Sequence, residues 1–379
     1  MNQKSMLYVH IPFCMQKCRY CDFLSFPASE ENRQLYIDAL CKEMNAWKGR
    51  ETGCISSLFI GGGTPSLLTP NQMEQVMAAL HRNFHIEKDA EQTIEVNPGT
   101  ITEEKAKCWK QKGINRVSMG VQALDDQLLK CLGRIHNHRQ VLESWEILRK
   151  YEFQNLSFDL MMGLPDQSLI QWEQTLHEAV QLKPQHLSCY SLIIEEGTPF
   201  YDEQESLRLP EEETERLMYL RTQEILSDAG MYQYEISNFS LPGFESKHNT
   251  GYWRRQPYIG LGLGAASLLK EEIRFHNTND MEHYLRCSGD LMAIREDQVE
   301  LSLKDQMEEF MFLGLRCTQG VQKDEFLRNF GNTLESIYGK VLEKHMQTGL
   351  LESKDGWIRL TQAGLNVANQ VFVDFLLDA

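Results

Sequence analysis

The sequence predicts an α/β protein, an incomplete (β/α)6 barrel followed by a smaller, mainly helical C-terminal domain. Six short apolar or β-branched runs recur through the first half, each followed by a longer stretch with helical periodicity. That alternation gives a parallel sheet with right-handed crossovers, either doubly wound or closed toward a barrel. The barrel is favoured because Gly61, Glu95, Gln122, Asp159 and Ser191 end or follow the runs. A closed or nearly closed barrel gathers such residues round one mouth, whereas an open sheet collects only those at its switch point.

In chain order the strand-like runs are Leu7 to Ile11, Ser57 to Ile60, Thr93 to Val96, Arg116 to Met119, Ser157 to Leu160 and His186 to Ser191. The helix-like stretches between them are Glu31 to Trp47, Pro70 to Asn83, Thr102 to Lys112, Arg139 to Tyr151 and Leu169 to Gln181. From Glu195 to Glu215 nine acidic residues face a single Arg, which reads as a solvated connection and a soft boundary. Thr214 to Ala229 reads as helix, and Lys247 to Leu269 mixes aromatics with glycine. Helices are expected again at Leu303 to Leu315, Lys323 to Asn329, Leu334 to Met346 and Thr361 to Asp374. A hairpin over Gly349 to Leu360 turns at Lys354-Asp355-Gly356. The expected units are residues 1–235, 236–300 and 301–379, the last with the outline of a winged helix. Its helix from Leu334 to Met346 carries only Lys340 and Lys344 as fixed positive charges, so DNA binding is not expected.

With 42% hydrophobic and 24% charged residues, the 379-residue chain has the composition of an ordinary globular protein. A formal charge of −16 would repel a phosphate backbone, which argues against nucleic acid as a partner. Met1 to Phe13 lacks the cleavage site of a secretory signal, and no apolar run is long enough to span a membrane. The expected location is the cytoplasm; a weak peripheral membrane contact and a homodimer are left open. Of ten cysteines, Cys41, Cys54, Cys108, Cys131, Cys189, Cys287 and Cys317 are scattered singly and read as small buried hydrophobes.

The other three are clustered. Tyr8-Val-His-Ile-Pro-Phe-Cys14-Met-Gln-Lys-Cys18-Arg-Tyr-Cys21-Asp-Phe23 begins within the first strand. Three thiolates on one tight loop can converge on an inorganic core, and Cys ligation is what iron–sulfur centres use. Structural zinc wants four closed ligands, and no second CxxC or HxxxH pair stands nearby. Three ligands suggest a [4Fe–4S] cluster with one iron left open. After the second strand, Ile60-Gly61-Gly62-Gly63-Thr64-Pro65 lets backbone approach a ligand without a Cβ, but lacks the GK[ST] ending of a nucleotide P-loop. Gly260-Leu-Gly262-Leu-Gly-Ala265 satisfies GxGxxA but opens no βαβ unit, so a dinucleotide site is not read there.

At these residues the chain resembles the radical S-adenosylmethionine family, through the CxxxCxxC loop and the GGGTP segment. The resemblance implies a TIM-like partial barrel, a [4Fe–4S] cluster on Cys14, Cys18 and Cys21, and S-adenosylmethionine chelating the open iron through its amino and carboxylate groups. It extends over nearly the whole chain to the porphyrin-related HemN/HemW branch. That likeness sets Tyr8, Phe23, Gly62, Gly63, Thr64, Glu95, Gln122, Arg134 and Asp159 around the cofactor, with Ile193 and Ala266 against its adenine. Glu95 and Asp159 can accept from amine and ribose hydroxyls, and Arg134 can clamp a carboxylate.

Two members of that branch differ in class. One is an oxygen-independent coproporphyrinogen III dehydrogenase; the other is a haem chaperone that delivers haem to recipient haemoproteins. The dehydrogenase pattern has a further cysteine two positions past the third ligand, where this chain has Phe23, and a longer segment ahead of its first cysteine. Lys247-His248-Asn249-Thr-Gly-Tyr252-Trp253 matches the HNxxYW motif of the chaperone branch. The chaperone is therefore expected, with no residue assigned a catalytic role. His248 stands as a candidate haem ligand, and Tyr252 and Trp253 offer flat apolar faces to a porphyrin. The bland reading of the motif is a packed aromatic turn with a hydrogen-bonded His.

Overall fold

The computed structural model describes residues 4–50 and 52–377; the ends of the expected 1–235 and 301–379 units, at residues 1–3 and 378–379, lie outside the described residues. All six expected strands form: β1 (Lys4–Ile11), β2 (Cys54–Gly62), β3 (His85–Val96), β4 (Arg116–Gln122), β5 (Asn155–Met162) and β6 (His186–Ser191). They pair in parallel, each with the next in sequence. The crossover helices are Glu30–Ala46, Pro70–Asn83, Glu103–Gln111, His138–Lys150 and Leu169–Gln181. Each starts at a side-chain cap, Ser29, Thr69, Thr102, Asn137 and Ser168, that satisfies a free N–H of the first turn. The pleat divides the strands: Val117, Met119 and Val121 of β4 pack outward into the core under the helices, while Arg116, Ser118 and Gly120 line the inner cavity.

The chain after β6, including the segment expected to pack on the barrel, extends its sheet on both flanks. β7 (Tyr232–Glu235) and β8 (Asn238–Ser240) add antiparallel strands beyond β6. β9 (Tyr258–Leu261) adds parallel to β1, followed outward by β10 (Ala266–Leu269), β11 (Ile273–Asn277) and β12 (Arg295–Glu300). The result is one twelve-stranded sheet with β1–β6 at its centre. The edge strand β7 is covered by the chain near Arg316 to Thr318, through Ile236 N to Arg316 O at 3.1 Å and Thr318 N to Tyr234 O at 3.0 Å.

One buried carboxylate ties the added flank to the barrel. Glu43, on the first helix and 1% exposed, accepts from Gly262 N at 2.8 Å, Asn277 Nδ2 at 2.8 Å and the Tyr284 hydroxyl at 2.5 Å. Burial pushes its carboxyl up to about 7 despite those three donors.

The C-terminal unit has helices Leu303–Gly314, Lys323–Phe330 and Leu334–Gln347 and a small antiparallel sheet of β13 (Val321–Gln322), β14 (Leu351–Lys354) and β15 (Trp357–Leu360). Asp355 and Gly356, both at positive φ, make the two-residue turn between β14 and β15. The helix expected over Thr361 to Asp374 is broken at Val367 (φ −128°), whose N–H closes a tight turn on Gly364 O; a second helix, Ala368–Val373, then carries Val371 into a separate apolar core with Phe326 and Tyr338. Buried Glu309 fastens this unit to the barrel, accepting from Arg255 Nε at 2.9 Å and Arg274 Nη1 at 2.6 Å.

Candidate functional site

The C-terminal ends of β1–β6 open on a cavity of about 550 Å³. Cys14, Cys18, Cys21, Phe23, Gly62, Gly63, Thr64, Glu95, Gln122, Arg134, Asp159 and Ile193 all line it. The cysteine loop is held from below by His10, whose ring nitrogens meet the Tyr8 hydroxyl at 2.9 Å and Leu24 O at 2.9 Å. Gly62 sits at φ +106°, and a Cβ there would stand 2.5 Å from the His10 ring, so only glycine lets the loop and the GGGT segment meet. Gly62 N donates to Glu95 Oε2 at 3.0 Å.

Donors converge on the thiols. The Thr64 hydroxyl lies 3.4 Å from Cys14 Sγ, and Arg134 Nη1 donates to Cys18 Sγ at 3.6 Å. Burial pushes the Cys21 thiol up to about 11 in the metal-free chain. Among the described residues no three His, Cys, Asp or Glu side chains stand close enough to hold a single metal ion. A larger inorganic core spans more widely placed thiolates, and the cavity mouth with its three cysteines and two donors fits such an anionic group.

Deeper in, the walls are polar. Desolvation, then the neighbouring Asp159, push the Glu95 carboxyl up to about 8. Asp159 is raised as well, chiefly by burial, although Ser118 donates to it at 3.0 Å. Two guanidinium groups lining this cavity leave a buried Nε unpartnered, Arg134 at the mouth and Arg116 at the inner end. An anionic ligand group would satisfy the first of these. Gln122 holds φ 66°, a strained conformation for a non-glycine residue, and its Oε1 accepts the Tyr190 hydroxyl at 2.7 Å.

Other expected residues lie elsewhere. Tyr8 stacks beside Phe59, ring centroids 6.3 Å apart, and with Ala266, Tyr252 and Trp253 lines a second cavity of about 390 Å³. The pairing of Ile193 with Ala266 against one adenine is therefore not met, because Ala266, on the added strand β10, faces this second cavity. His248 also departs from expectation. It is 1% exposed, in the helix Lys247–Trp253 that packs against the inner face of β2. Its Nδ1 meets Ser57 Oγ at 2.8 Å, its Nε2 the Tyr252 hydroxyl at 3.1 Å, and its ring stacks on Phe59 at 5.1 Å. Burial, then Arg116, lower its pKa to about 3, so the ring is neutral. With both nitrogens engaged, it has no lone pair for an iron in this conformation. The motif instead builds a plug: Glu91 accepts from Lys247 N at 3.1 Å and His248 N at 3.1 Å, capping the helix.

The sequence reading missed Asn97, Arg116, Ser118, Ser188 and Tyr190, which also line the main cavity. Alternation along β4 would have found Ser118 and Arg116, and Asn97 directly follows β3 as the other strand-end residues follow theirs.

Comparison with known proteins bears on this arrangement. The Radical SAM superfamily pattern matches residues 8–179 and the HemN C-terminal domain pattern residues 301–367. Among solved structures, coproporphyrinogen III oxidase (HemN) from Escherichia coli shares the fold with a TM-score of 0.85 at 22% identity, over 99% of this chain and 90% of that one. Heme chaperone HemW of Lactococcus lactis subsp. lactis (strain IL1403) is 38% identical over 100% of this chain and 99% of its own length. That of Bacillus subtilis (strain 168) is 38% identical over 97% and 98%, and that of Escherichia coli (strain K12) 33% identical over 98% and 98%. Identity at this level from end to end, across a cysteine loop, a glycine segment and a C-terminal unit, means that the chain belongs to the HemW family of the Radical SAM superfamily.

Proposed function

We propose that this protein is a haem chaperone of the radical S-adenosylmethionine type, which binds haem and delivers it to recipient haemoproteins. Membership of the superfamily brings with it a [4Fe–4S] cluster and S-adenosylmethionine. We assign the cluster to Cys14, Cys18 and Cys21, and the cofactor to the walls formed by Gly62, Gly63, Thr64, Glu95, Gln122, Arg134 and Asp159, with Phe23 and Ile193 at the rim. The cluster, when bound, supplies an electron to the sulfonium. The chain's own groups orient the ligand: Arg134 toward a carboxylate, Asp159 and the backbone of Gly62 and Gly63 toward amine and hydroxyl groups.

The observation that carries the chaperone reading is Phe23. It stands, 61% exposed, at the mouth of the cavity where the dehydrogenase pattern has a cysteine. The identity to heme chaperone proteins of three bacteria supports the same reading. Haem is proposed to contact the second cavity, where Tyr252, Trp253 and Tyr258 present aromatic faces beside Leu268 and Leu313. The iron ligand comes from outside the HNxxYW helix. Among the described residues no helix is long and apolar enough to cross a membrane.

Oxygen-free reconstitution tests this. One cluster and stoichiometric haem per chain, with coproporphyrinogen III left unconverted, is the expected result. Conversion at enzymatic rates would replace the chaperone with the dehydrogenase, whose only present support is the shared fold.

A further inference from the structure

A closed hydrogen-bond relay joins two of the three clustered cysteines across the cavity mouth, with Asn97 at its centre. Asn97 Nδ2 donates to Thr64 Oγ1 at 2.8 Å, and Arg134 Nη2 donates to Asn97 Oδ1 at 2.7 Å and to Gly120 O at 2.6 Å. The directions are fixed by chemistry. A guanidinium only donates, so the amide oxygen must face Arg134 and the amide nitrogen must face Thr64. The Thr64 oxygen thus accepts from Asn97, and its single proton is free to point at Cys14 Sγ, 3.4 Å away. At the other end Arg134 Nη1 donates to Cys18 Sγ.

The hub is itself held rigidly. Asn97 N donates to Ser66 Oγ at 3.2 Å, Ser66 meets Thr100 Oγ1 at 2.6 Å, and Thr100 donates back to Asn97 O at 2.7 Å. Ser66 and Thr100 are buried, so this ring excludes competing water. A Cβ at position 120 would lie 2.8 Å from Asn97 Oδ1; glycine there leaves room for the amide.

We propose that Asn97 is a positioning residue that aims the Thr64 hydroxyl at Cys14 and the Arg134 guanidinium at Cys18, and thereby raises the reduction potential of the iron–sulfur cluster. Hydrogen bonds to cluster sulfurs stabilise the more negative, reduced state, which is one of the levers that set these potentials. The inference rests on the cluster assignment proposed above; iron and sulfide content of the wild-type protein tests that assignment separately and first.

The test is a redox titration of reconstituted cluster without S-adenosylmethionine, so that cofactor contacts of Thr64 and Arg134 do not enter. Thr64→Val removes the donor to Cys14 and should cut the ratio of reduced to oxidised cluster at a fixed solution potential by about three- to tenfold, the scale of one hydrogen bond. Tenfold is about 59 mV for one electron. Thr64→Ser keeps the hydroxyl and should titrate with the wild type. Asn97→Asp is isosteric but accepts from both neighbours, so it draws the Thr64 proton away from Cys14; it should lower the potential as well, with a smaller effect once Thr64 is already Val. Resonance Raman should show stronger Fe–S(Cys) bonds in Thr64→Val and Asn97→Asp. A Thr64→Val protein with full cluster content and an unshifted midpoint overturns the proposal. So does an Asn97→Asp shift of equal size in the wild-type and Thr64→Val backgrounds, since that would be charge alone.

Discussion

Replacing Glu43 by glutamine should make the protein's stability less sensitive to pH, and the structure supplies the size of the effect. The folded chain holds this carboxyl at about 7 against an ordinary 4.5, a raised value caused chiefly by burial. Between those two values the folded protein keeps a proton that the unfolded chain has released. Stability from this group is therefore full below pH 4.5 and is lost as pH rises through 7, by about 1.4 kcal/mol per unit or roughly 3 kcal/mol in all. The groups facing it do not titrate in that window. Tyr36, Tyr284 and Cys41 are all pushed upward by burial, and Arg295 stays charged. The glutamine side chain of the variant would also have to turn its NH2 toward one of three donors, Gly262 N, Asn277 Nδ2 or the Tyr284 hydroxyl, at a pH-independent cost of about 1–3 kcal/mol. Urea midpoints of metal-free wild-type and Glu43→Gln protein, followed by tryptophan fluorescence from pH 5 to pH 8, check this. The gap between them should be widest at pH 5 and shrink by about 2.5 kcal/mol by pH 8; two parallel curves would refute the reasoning.

Cys18→Ala should abolish the visible absorption of the reconstituted cluster while the far-ultraviolet circular dichroism stays that of the wild type. Glu309→Ala strands the buried Arg255 guanidinium, so it should cost about 3–5 kcal/mol, and limited proteolysis should release the C-terminal unit sooner. His248→Ala should leave the haem Soret band where it lies in the wild type, and lower stability by about 2–4 kcal/mol through the cavity it leaves beneath Phe59 and the partners it strips from Ser57 and Tyr252. A shifted Soret band in that variant would return His248 to the haem.

The central barrel was legible because parallel strands buried by helices on one side have long apolar runs, and because caps such as Thr69 and Ser168 mark where helices begin. The flanking strands were not. β8 has three residues and β9 four, including Gly260, and the six residues of β12 are charged or exposed, so none shows a periodic signal. They form because neighbours from distant sequence offer them a sheet edge. At the site, residues in distinctive local patterns could be read: the cysteine spacing and the glycine run. Asn97 and Arg116 had a signal too, in strand alternation and strand-end position, but their partners Thr64, Arg134 and Asp159 come from other strands and loops and do not show in the local sequence. The setting of His248 was illegible for a related reason. Its neighbours in sequence suggest a ligand, but its partners Ser57, Phe59 and Glu91 belong to β2 and β3.

The helix stoppering the inner end of the barrel turns the cavity into a blind well with its doorway at the cysteine loop. Polar groups line the depth of this well and apolar side chains its rim. Exposed Met15, Phe23, Ile135 and Ile193 ring that doorway, so a broad apolar guest settling on them would shut in whatever lies beneath.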